Sequence, residues 1–486
     1  MSTCYGYGPL GKAHLAGWIP SINNGISVFD PLNTSASKLQ ELLTSGEITS
    51  VRIAVYQLAP GAIDRAEELD KMRSNGVVLG PLHGIPILLK DNIGMAPNMQ
   101  MDNTGGNLAL VGSTVIKNTS IVTQLIEAGT IILGKTTLSA TRGKNISCGW
   151  SALHGQSQNP YIPGGVAKSD GPGGQISPGG SSSGSGIAVA AGFAPMAIGT
   201  ETEGSLISSS TRHYYLDVAG PTCTIVKDTA DLLTVLVGNR KGDVPSGGYA
   251  SAMKGEADPE KFRYNETLQT PRPAAIEQIK TATLQRYDRI KSLAAEYHYD
   301  VSLRLDRDFD YEGSNALTEL MVADFEPKFD AYMKGTQGAP ISSAKELAEW
   351  NRAHSNEVLS PEFPNQTFIK QSVVFPHNSD RRQRLMSHIT EIGQSLPGTL
   401  DSYGINVIIG PADTCMSKFS AATGFLLCSL PLGYIDFNDR PVGLMAIARS
   451  EVTLITLMSE FEASFPSRKP SSTFFLLSER SISDSS

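Results

Sequence analysis

Two stretches rich in serine and glycine are the first candidates for chemistry. PGGSSSGSG runs from Pro178 to Gly186, and GTETEGSLISSS begins at Gly199. A serine hydroxyl becomes an effective nucleophile only when a neighbouring base takes its proton. The first stretch also has the composition of a flexible linker. The apolar segment GIAVAAGFA overlaps its last glycine and predicts burial, which counts against the linker.

Two short serine motifs match known active-site patterns formally. Gly180 to Gly184 reads G-x-S-x-G, but a nucleophile elbow needs a strand directly before it, and GPGGQISPGG cannot form one. SAMK at Ser251–Lys254 reads S-x-x-K, but its usual partners S-D-N and K-T-G are absent. We interpret both matches as chance.

The cysteines and histidines indicate neither a disulfide framework nor a metal site. None of the five cysteines forms a C-x-x-C pair, and the eight histidines show no metal-ligand spacing. We interpret the thiols as packed side chains, which favours a reducing compartment and a cytoplasmic location. The cysteines are Cys4, Cys148, Cys223, Cys415 and Cys428.

Charge and hydropathy exclude several classes of partner. The chain has 486 residues, with 40 Lys and Arg against 48 Asp and Glu, a net charge of −8. This mildly acidic balance argues against a nucleic-acid-binding protein. We expect no membrane span, because no stretch reaches about 18 apolar residues. The first residues do not form a convincing signal peptide.

The first half alternates helix and strand patterns. AIDRAEELDKMRSNG predicts a helix that ends at Asn75-Gly76, and Ser120 is the predicted cap of a second helix. Between them, the apolar run of GIPILLKDNI lacks alternation, which predicts a strand buried on both faces. That strand ends at Lys90-Asp91-Asn92. The segment TIILG, after Gly129, repeats this strand pattern.

The other elements extend this pattern to most of the chain. A capping box at Ser37 and Gln40 begins an early helix, and another at Ser343 and Glu346 begins a later one. INVIIGP and PVGLMAIA are strand-like, and EVTLITLMSEFEASF is helical. We predict an α/β fold with a central mixed β-sheet covered by helices on both faces. One domain over residues 26–472 is expected, with tails at 1–25 and 473–486.

Four ordered motifs resemble the amidase signature family. GPLHGIPILLKDNI is similar to the family's lysine strand, and AGTIILGKTTLS to its "AGAIILGKTNLSE". SCGWSALHGQSQNPY resembles the segment that leads into the serine loop. PGGSSSGSGIAVAAGFAPMAIGTETEGSL looks like the signature itself. The resemblance spans roughly residues 29–470 and is nearest to stand-alone fungal-type amidases.

The resemblance implies amide hydrolysis by a Ser–cis-Ser–Lys triad. It places the nucleophile at Ser205, the bridging serine at Ser181 after a cis bond, and the base at Lys90. The implied oxyanion hole is formed by the backbone N–H groups of Thr202, Glu203, Gly204 and Ser205. Burial can leave a lysine neutral enough to act as base. The implied substrate is a small-molecule amide, with no cofactor and no metal, and a homodimer is left open.

The sequence departs from the family after the predicted nucleophile. Ile207 stands where arginine is expected, Ser209 replaces proline, and the chain is shortened after residue 208. One expectation is therefore an amidase, with tailoring of a secondary metabolite as a role that the fungal-type resemblance suggests. Another is a catalytically impaired relative that binds a ligand or partner. A third is an amidotransferase subunit that takes ammonia from glutamine.

Overall fold

The structure, a computed structural model, describes most of the chain between residues 59 and 469. The described residues are 35, 38, 41, 59–140, 143–162, 177–202, 205, 218–238, 248–253, 263–265, 273–298, 301, 303–376, 380–412, 415–436, 439–465 and 468–469. Both predicted tails lie outside them, as do both residues of the capping box at Ser37.

The described residues form helices and strands in both halves of the chain. The α-helices are α1 (Ala62–Ser74), α2 (Ser120–Glu127), α3 (Ser183–Ala190), α4 (Val226–Val237), α5 (Pro273–Leu293), α6 (Ala316–Met333), α7 (Ala344–Ala353), α8 (Ser355–Val358), α9 (Thr367–Val373), α10 (Arg381–Gly393), α11 (Ser395–Tyr403), α12 (Met416–Thr423) and α13 (Glu451–Ser464). The strands are β1 (Pro86–Lys90), β2 (Thr114–Val115), β3 (Ile131–Thr136), β4 (Trp150–Ser151), β5 (Gly155–Gln156), β6 (Met196–Glu201), β7 (Val218–Cys223), β8 (Arg263–Asn265), β9 (Glu296–His298), β10 (Asp310–Tyr311), β11 (Ser314–Asn315), β12 (Thr336–Gln337), β13 (Val407–Pro411), β14 (Leu426–Tyr434) and β15 (Pro441–Ala448).

The first sheet has the strand order β3-β1-β6-β7. β1 runs parallel to both neighbours, whereas β7 is antiparallel to β6. Every residue of β1 is buried, as its unbroken apolar run predicts. Since parallel strands end at the same edge of a sheet, Lys90 at the end of β1 lies beside Thr136 at the end of β3. Helix α3 packs against this sheet.

The second sheet, β13-β15-β14, is antiparallel and covered on both faces. Side chains alternate between the faces of a strand, so Val407 and Ile409 enter one apolar cluster, and Ile408 enters another. Helix α4 joins the two sheets, since Leu232 belongs to the core of the first and Leu233 to the core of the second. The predicted α/β fold is confirmed, with the described strands divided among this four-stranded sheet, this three-stranded sheet and four two-stranded pairs.

The predicted helices that lie within the described residues are confirmed, with two corrections at their caps. Ser120 is the first residue of α2, and Thr119 occupies the cap position. At α7, Ser343 accepts the Glu346 N–H as predicted, but the Glu346 carboxylate accepts the N–H of Ser342 instead of returning to Ser343. The Glu346 carboxylate therefore satisfies the N–H of the residue before the cap instead of the N–H of the cap itself. None of the described helices is long and apolar enough to cross a membrane.

Candidate active site

The candidate site lies where the first sheet meets the start of helix α3. Lys90 ends the central strand, and Thr200 lies near the end of the neighbouring strand β6. Residues 181 and 182 directly precede α3, which begins at Ser183. In open α/β sheets, functional groups gather at the carboxyl ends of the strands, and this site has that position.

The Lys90 side chain lies at the centre of this arrangement. Only 1% of Lys90 is exposed. Its Nζ donates to Ser181 Oγ at 2.8 Å, to Ser182 Oγ at 2.9 Å and to the carbonyl oxygen of Thr200 at 3.3 Å. A buried amine needs such acceptors, because its transfer from water is otherwise costly. The fold thus joins Lys90 to a serine 91 positions later in the chain.

The backbone before Ser181 has an unusual conformation. The Gly180–Ser181 peptide bond is cis, and Gly179 adopts a φ of 78°. The Ser181 carbonyl accepts the N–H of Ser139 at 3.0 Å. This contact ties the serine loop to the segment that follows β3. Residues 177–180 form no strand, which agrees with our rejection of a nucleophile elbow.

Ser182 is a site residue that the sequence analysis did not assign. Its side chain is buried, and its Oγ donates to the Thr200 carbonyl at 3.0 Å. The same oxygen accepts the Thr200 N–H at 3.1 Å and one hydrogen from Lys90. Ser182 therefore fixes Lys90 to the end of β6. Three adjacent serines gave no signal that this one would be the anchor.

Ser205 reaches the site through its backbone. Its carbonyl accepts the N–H of Ser182 at 3.1 Å, and its own N–H donates to Glu201 Oε1 at 2.8 Å. No hydrogen bond joins the Ser205 and Ser181 hydroxyls among the described residues. The predicted oxyanion donors Glu203 and Gly204 lie outside those residues. The Ser205 N–H, predicted as a further donor, is engaged by a carboxylate.

Buried charges fix the loop that follows β1. The Asp91 carboxylate accepts the Gly106 N–H at 2.8 Å and the Thr104 hydroxyl. Lys135 donates to the carbonyls of Asp91 and Ile93 and, at 3.0 Å, to Asn103 Oδ1. Burial lowers the pKa of Lys135 to about 8, against the opposing charges of Asp91 and Asp102. The loop beside Lys90 is therefore held by groups inside the protein.

The described cysteines form no disulfide, and His83 lies inside the core. Cys148, Cys223, Cys415 and Cys428 are free thiols. Fully buried His83 contacts the Leu69 carbonyl through Nε2 at 3.0 Å, and burial lowers its pKa. No three His, Cys, Asp or Glu side chains gather as a metal site in the part of the chain that the structure describes.

Comparison with known proteins gives matches over most of the chain. The family model described as Amidase matches residues 47–208. A Schizosaccharomyces pombe relative named "Putative amidase" is 27% identical over 512 residues, which cover 88% of this chain and 85% of the relative. A native peptide amidase from Stenotrophomonas maltophilia has 27% identity and a TM-score of 0.74, covering 90% of this chain and 98% of that structure. An amidase family protein from Bacillus anthracis, 22% identical, shows the same fold with a TM-score of 0.74, over 95% of this chain and 98% of its own.

Proposed function

The chain belongs to the amidase signature family, and we propose that it hydrolyses a carboxylic amide with Ser205 as nucleophile, Ser181 as proton relay and Lys90 as base. The products are a carboxylic acid and an amine or ammonia. The substrate is a small molecule, and the resemblance to fungal-type amidases favours a role in tailoring secondary metabolites. The reaction needs no cofactor, because the serine supplies the covalent step.

The contact between Lys90 and Ser181 carries this proposal. Their side chains are 2.8 Å apart, and Lys90 is almost completely buried. Burial disfavours the charged form of an amine, which is the form that cannot accept a proton. A hydroxyl both donates and accepts hydrogen bonds, so Ser181 can pass a proton to Lys90. The Ser–Lys arrangement is a recognised variant of the serine triad.

The proposed reaction has two halves. Ser205 Oγ forms a bond to the amide carbon, and its proton moves through Ser181 to Lys90. The carbon–nitrogen bond then breaks, and the leaving nitrogen takes that proton back through Ser181. Water attacks the resulting ester and loses a proton along the same path, and Ser205 regains its hydroxyl hydrogen as the acid departs.

Stabilisation of the oxyanion requires backbone N–H donors that are open to the substrate oxygen. The resemblance assigns its donors to the N–H groups of Thr202, Glu203, Gly204 and Ser205. The Ser205 N–H donates to Glu201 Oε1. An N–H engaged by a carboxylate cannot fully serve a substrate oxygen, so the oxyanion has to displace Glu201 to use this donor. One such donor contributes about 3 kcal/mol to catalysis in related chemistry.

A reactive fluorophosphonate probe tests the proposal without knowledge of the substrate. We expect labelling at Ser205, loss of labelling in Ser205→Ala, and a large decrease in Lys90→Ala. Ser402→Ala, a change at an exposed serine of α11, is the matched control and should label normally. Amide hydrolysis should follow the same order. Normal amide hydrolysis by folded Ser205→Ala would contradict the mechanism.

The second candidate function is ligand or partner binding without catalysis. Two facts favour it: the family match ends at residue 208, and the alignment of 512 residues with the S. pombe relative is longer than this chain of 486. That relative therefore has segments that this chain lacks. Absence of labelling at Ser205 in folded protein would favour this second function.

A further inference from the structure

A cavity of about 410 Å³ adjoins the candidate active site. Its lining includes Asn92, two residues after Lys90, and Thr202, one of the implied oxyanion donors. Asn92 Nδ2 donates to Thr200 Oγ1 at 3.1 Å, so the cavity wall and the Lys90 environment share Thr200. The volume lies within the range of small-molecule sites, and a dry cavity of about 150 Å³ already holds a benzene ring.

One face of helix α6 forms an aromatic wall of this cavity. The lining residues of α6 follow spacings of three and one, which place them on a single helical stripe. Phe325 and Phe329 stack, with ring centroids 5.4 Å apart and planes inclined by 24°. The stripe comprises Met321, Asp324, Phe325, Lys328, Phe329 and Tyr332.

The opposite wall belongs to the segment after β1 and is fixed in position. Asn103 accepts the Met95 N–H and donates to the Met95 carbonyl, both at 2.8 Å. Strand β2 pairs with β12, which follows α6 in the chain, so the two walls are connected. A pocket formed in advance binds its ligand with little cost in ordering side chains and loops.

The two charged residues of the lining favour a negative ligand group. Asp324 accepts from Arg382 Nε at 2.6 Å and from Nη2 at 3.0 Å, so both carboxylate oxygens contact that guanidinium. Burial raises the pKa of Asp324, but hydrogen bonds from Arg382 and the charge of Lys328 outweigh it and lower the pKa overall. Lys328 Nζ lies 3.4 Å from the same carboxylate, and its side chain is 46% exposed. A ligand cation would meet a carboxylate that two cationic groups already contact, whereas a ligand anion would share Lys328 with Asp324.

We propose that the amide substrate carries an aromatic ring that packs against Phe325 and Phe329, and a carboxylate or similar anion that reaches Lys328. This inference rests on the proposed amide hydrolysis and names the substrate class of the same site. The ring buries apolar surface in the cavity. The anion adds an interaction of the size found for partly exposed ion pairs.

The test compares four probes with the full-length protein: acetamide, phenylacetamide, 4-(carboxymethyl)phenylacetamide and 4-(aminomethyl)phenylacetamide. We expect kcat/KM to rise at least about tenfold from acetamide to phenylacetamide, and the carboxylate probe to exceed the amine probe. Lys328→Met should lower kcat/KM for the carboxylate probe by about threefold to fivefold and leave phenylacetamide within about twofold. Lys334→Met, an exposed position just after α6, is the control for loss of a positive charge. Phe325→Ala should reduce the advantage of all three aromatic probes.

The outcomes separate this inference from the proposed function. If the amides are hydrolysed without preference for the ring, or if Lys328→Met and Lys334→Met behave alike, the substrate class is wrong and the amidase proposal stands. If no amide is hydrolysed and Ser205 is not labelled, calorimetric binding of the same four probes tests the cavity directly. Selective binding of the carboxylate probe then supports the pocket while the catalytic proposal fails. Equal or absent binding of all four overturns the inference.

Discussion

Replacement of Ser182 by alanine tests whether Lys90 needs its second serine partner. The Ser182 hydroxyl contacts the Lys90 amino group and both backbone groups of Thr200, at 2.9 to 3.1 Å. Its loss leaves one buried and two half-buried polar groups each short of one partner. A single unsatisfied group costs about 1–3 kcal/mol, and partial relaxation makes about 2–4 kcal/mol a reasonable total for Ser182→Ala. A displaced catalytic group also slows the reaction, by about 100-fold for an error near 1 Å.

Ser183→Ala is the matched control. Ser183 is also buried, donates to the Gly179 carbonyl at 2.7 Å and contacts Ser139 Oγ at 2.9 Å, but it forms no hydrogen bond with Lys90. We expect both variants to unfold at lower denaturant concentration. The rate of fluorophosphonate labelling at Ser205 should fall about 10- to 100-fold in Ser182→Ala and stay within about threefold in Ser183→Ala. Equal labelling rates in two folded variants would show that the Ser182–Lys90 contact does not position the base.

Two further perturbations test the surroundings of the site. Gly184→Ala places a methyl group 2.6 Å from the Thr137 carbonyl and should lower the free energy of unfolding in urea by about 1–3 kcal/mol. Gly186→Ala on the same helix meets open space and should raise it by up to about 1 kcal/mol. Equal effects of the two changes would refute this packing. Burial lowers the pKa of Lys135 to about 8 from 10.5. Between these pH values the unfolded chain holds a proton that the folded chain has lost. The free energy of unfolding should therefore rise with pH over this range. Lys135→Met should remove this rise when unfolding is measured at pH 8, 9 and 10, and an unchanged slope would contradict the assignment.

Elements with strong local patterns were predictable from the sequence. The unbroken apolar run before Lys90 gave a buried strand, and Asn75-Gly76 marked the end of α1 correctly. Cap partners were less predictable, because a flexible carboxylate such as that of Glu346 can reach either of two adjacent N–H groups. The choice depends on the chain path before the helix, and periodicity carries no information about that path.

The cavity shows where local patterns reach their limit. The residues of α6 have helical spacing, which places Phe325, Phe329 and Tyr332 on one stripe. Such a stripe is usually core, and part of this one is: Phe329 belongs to one buried apolar cluster with Leu110 and Leu347. Whether the rest faces a cavity depends on where the loop after β1 lies. The cavity brings that loop together with α6, more than 200 positions later in the chain, and no local pattern specifies this arrangement.

The active-site residues differ in the same way. Lys90 could be placed at a strand end by its sequence context, but its contact with Ser181 depends on the parallel pairing of β1 with β6 and on helix α3. Glu201 went unassigned although it lies only four residues before Ser205, because its role is a hydrogen bond from the Ser205 N–H to its carboxylate, which no sequence pattern marks. If this contact blocks the oxyanion site, Glu201→Gln should weaken it by removing the charge and should raise the rate of fluorophosphonate labelling, provided that Lys90 and Ser181 stay in place. A lower labelling rate would mean that the carboxylate supports the catalytic loop instead of competing with the substrate.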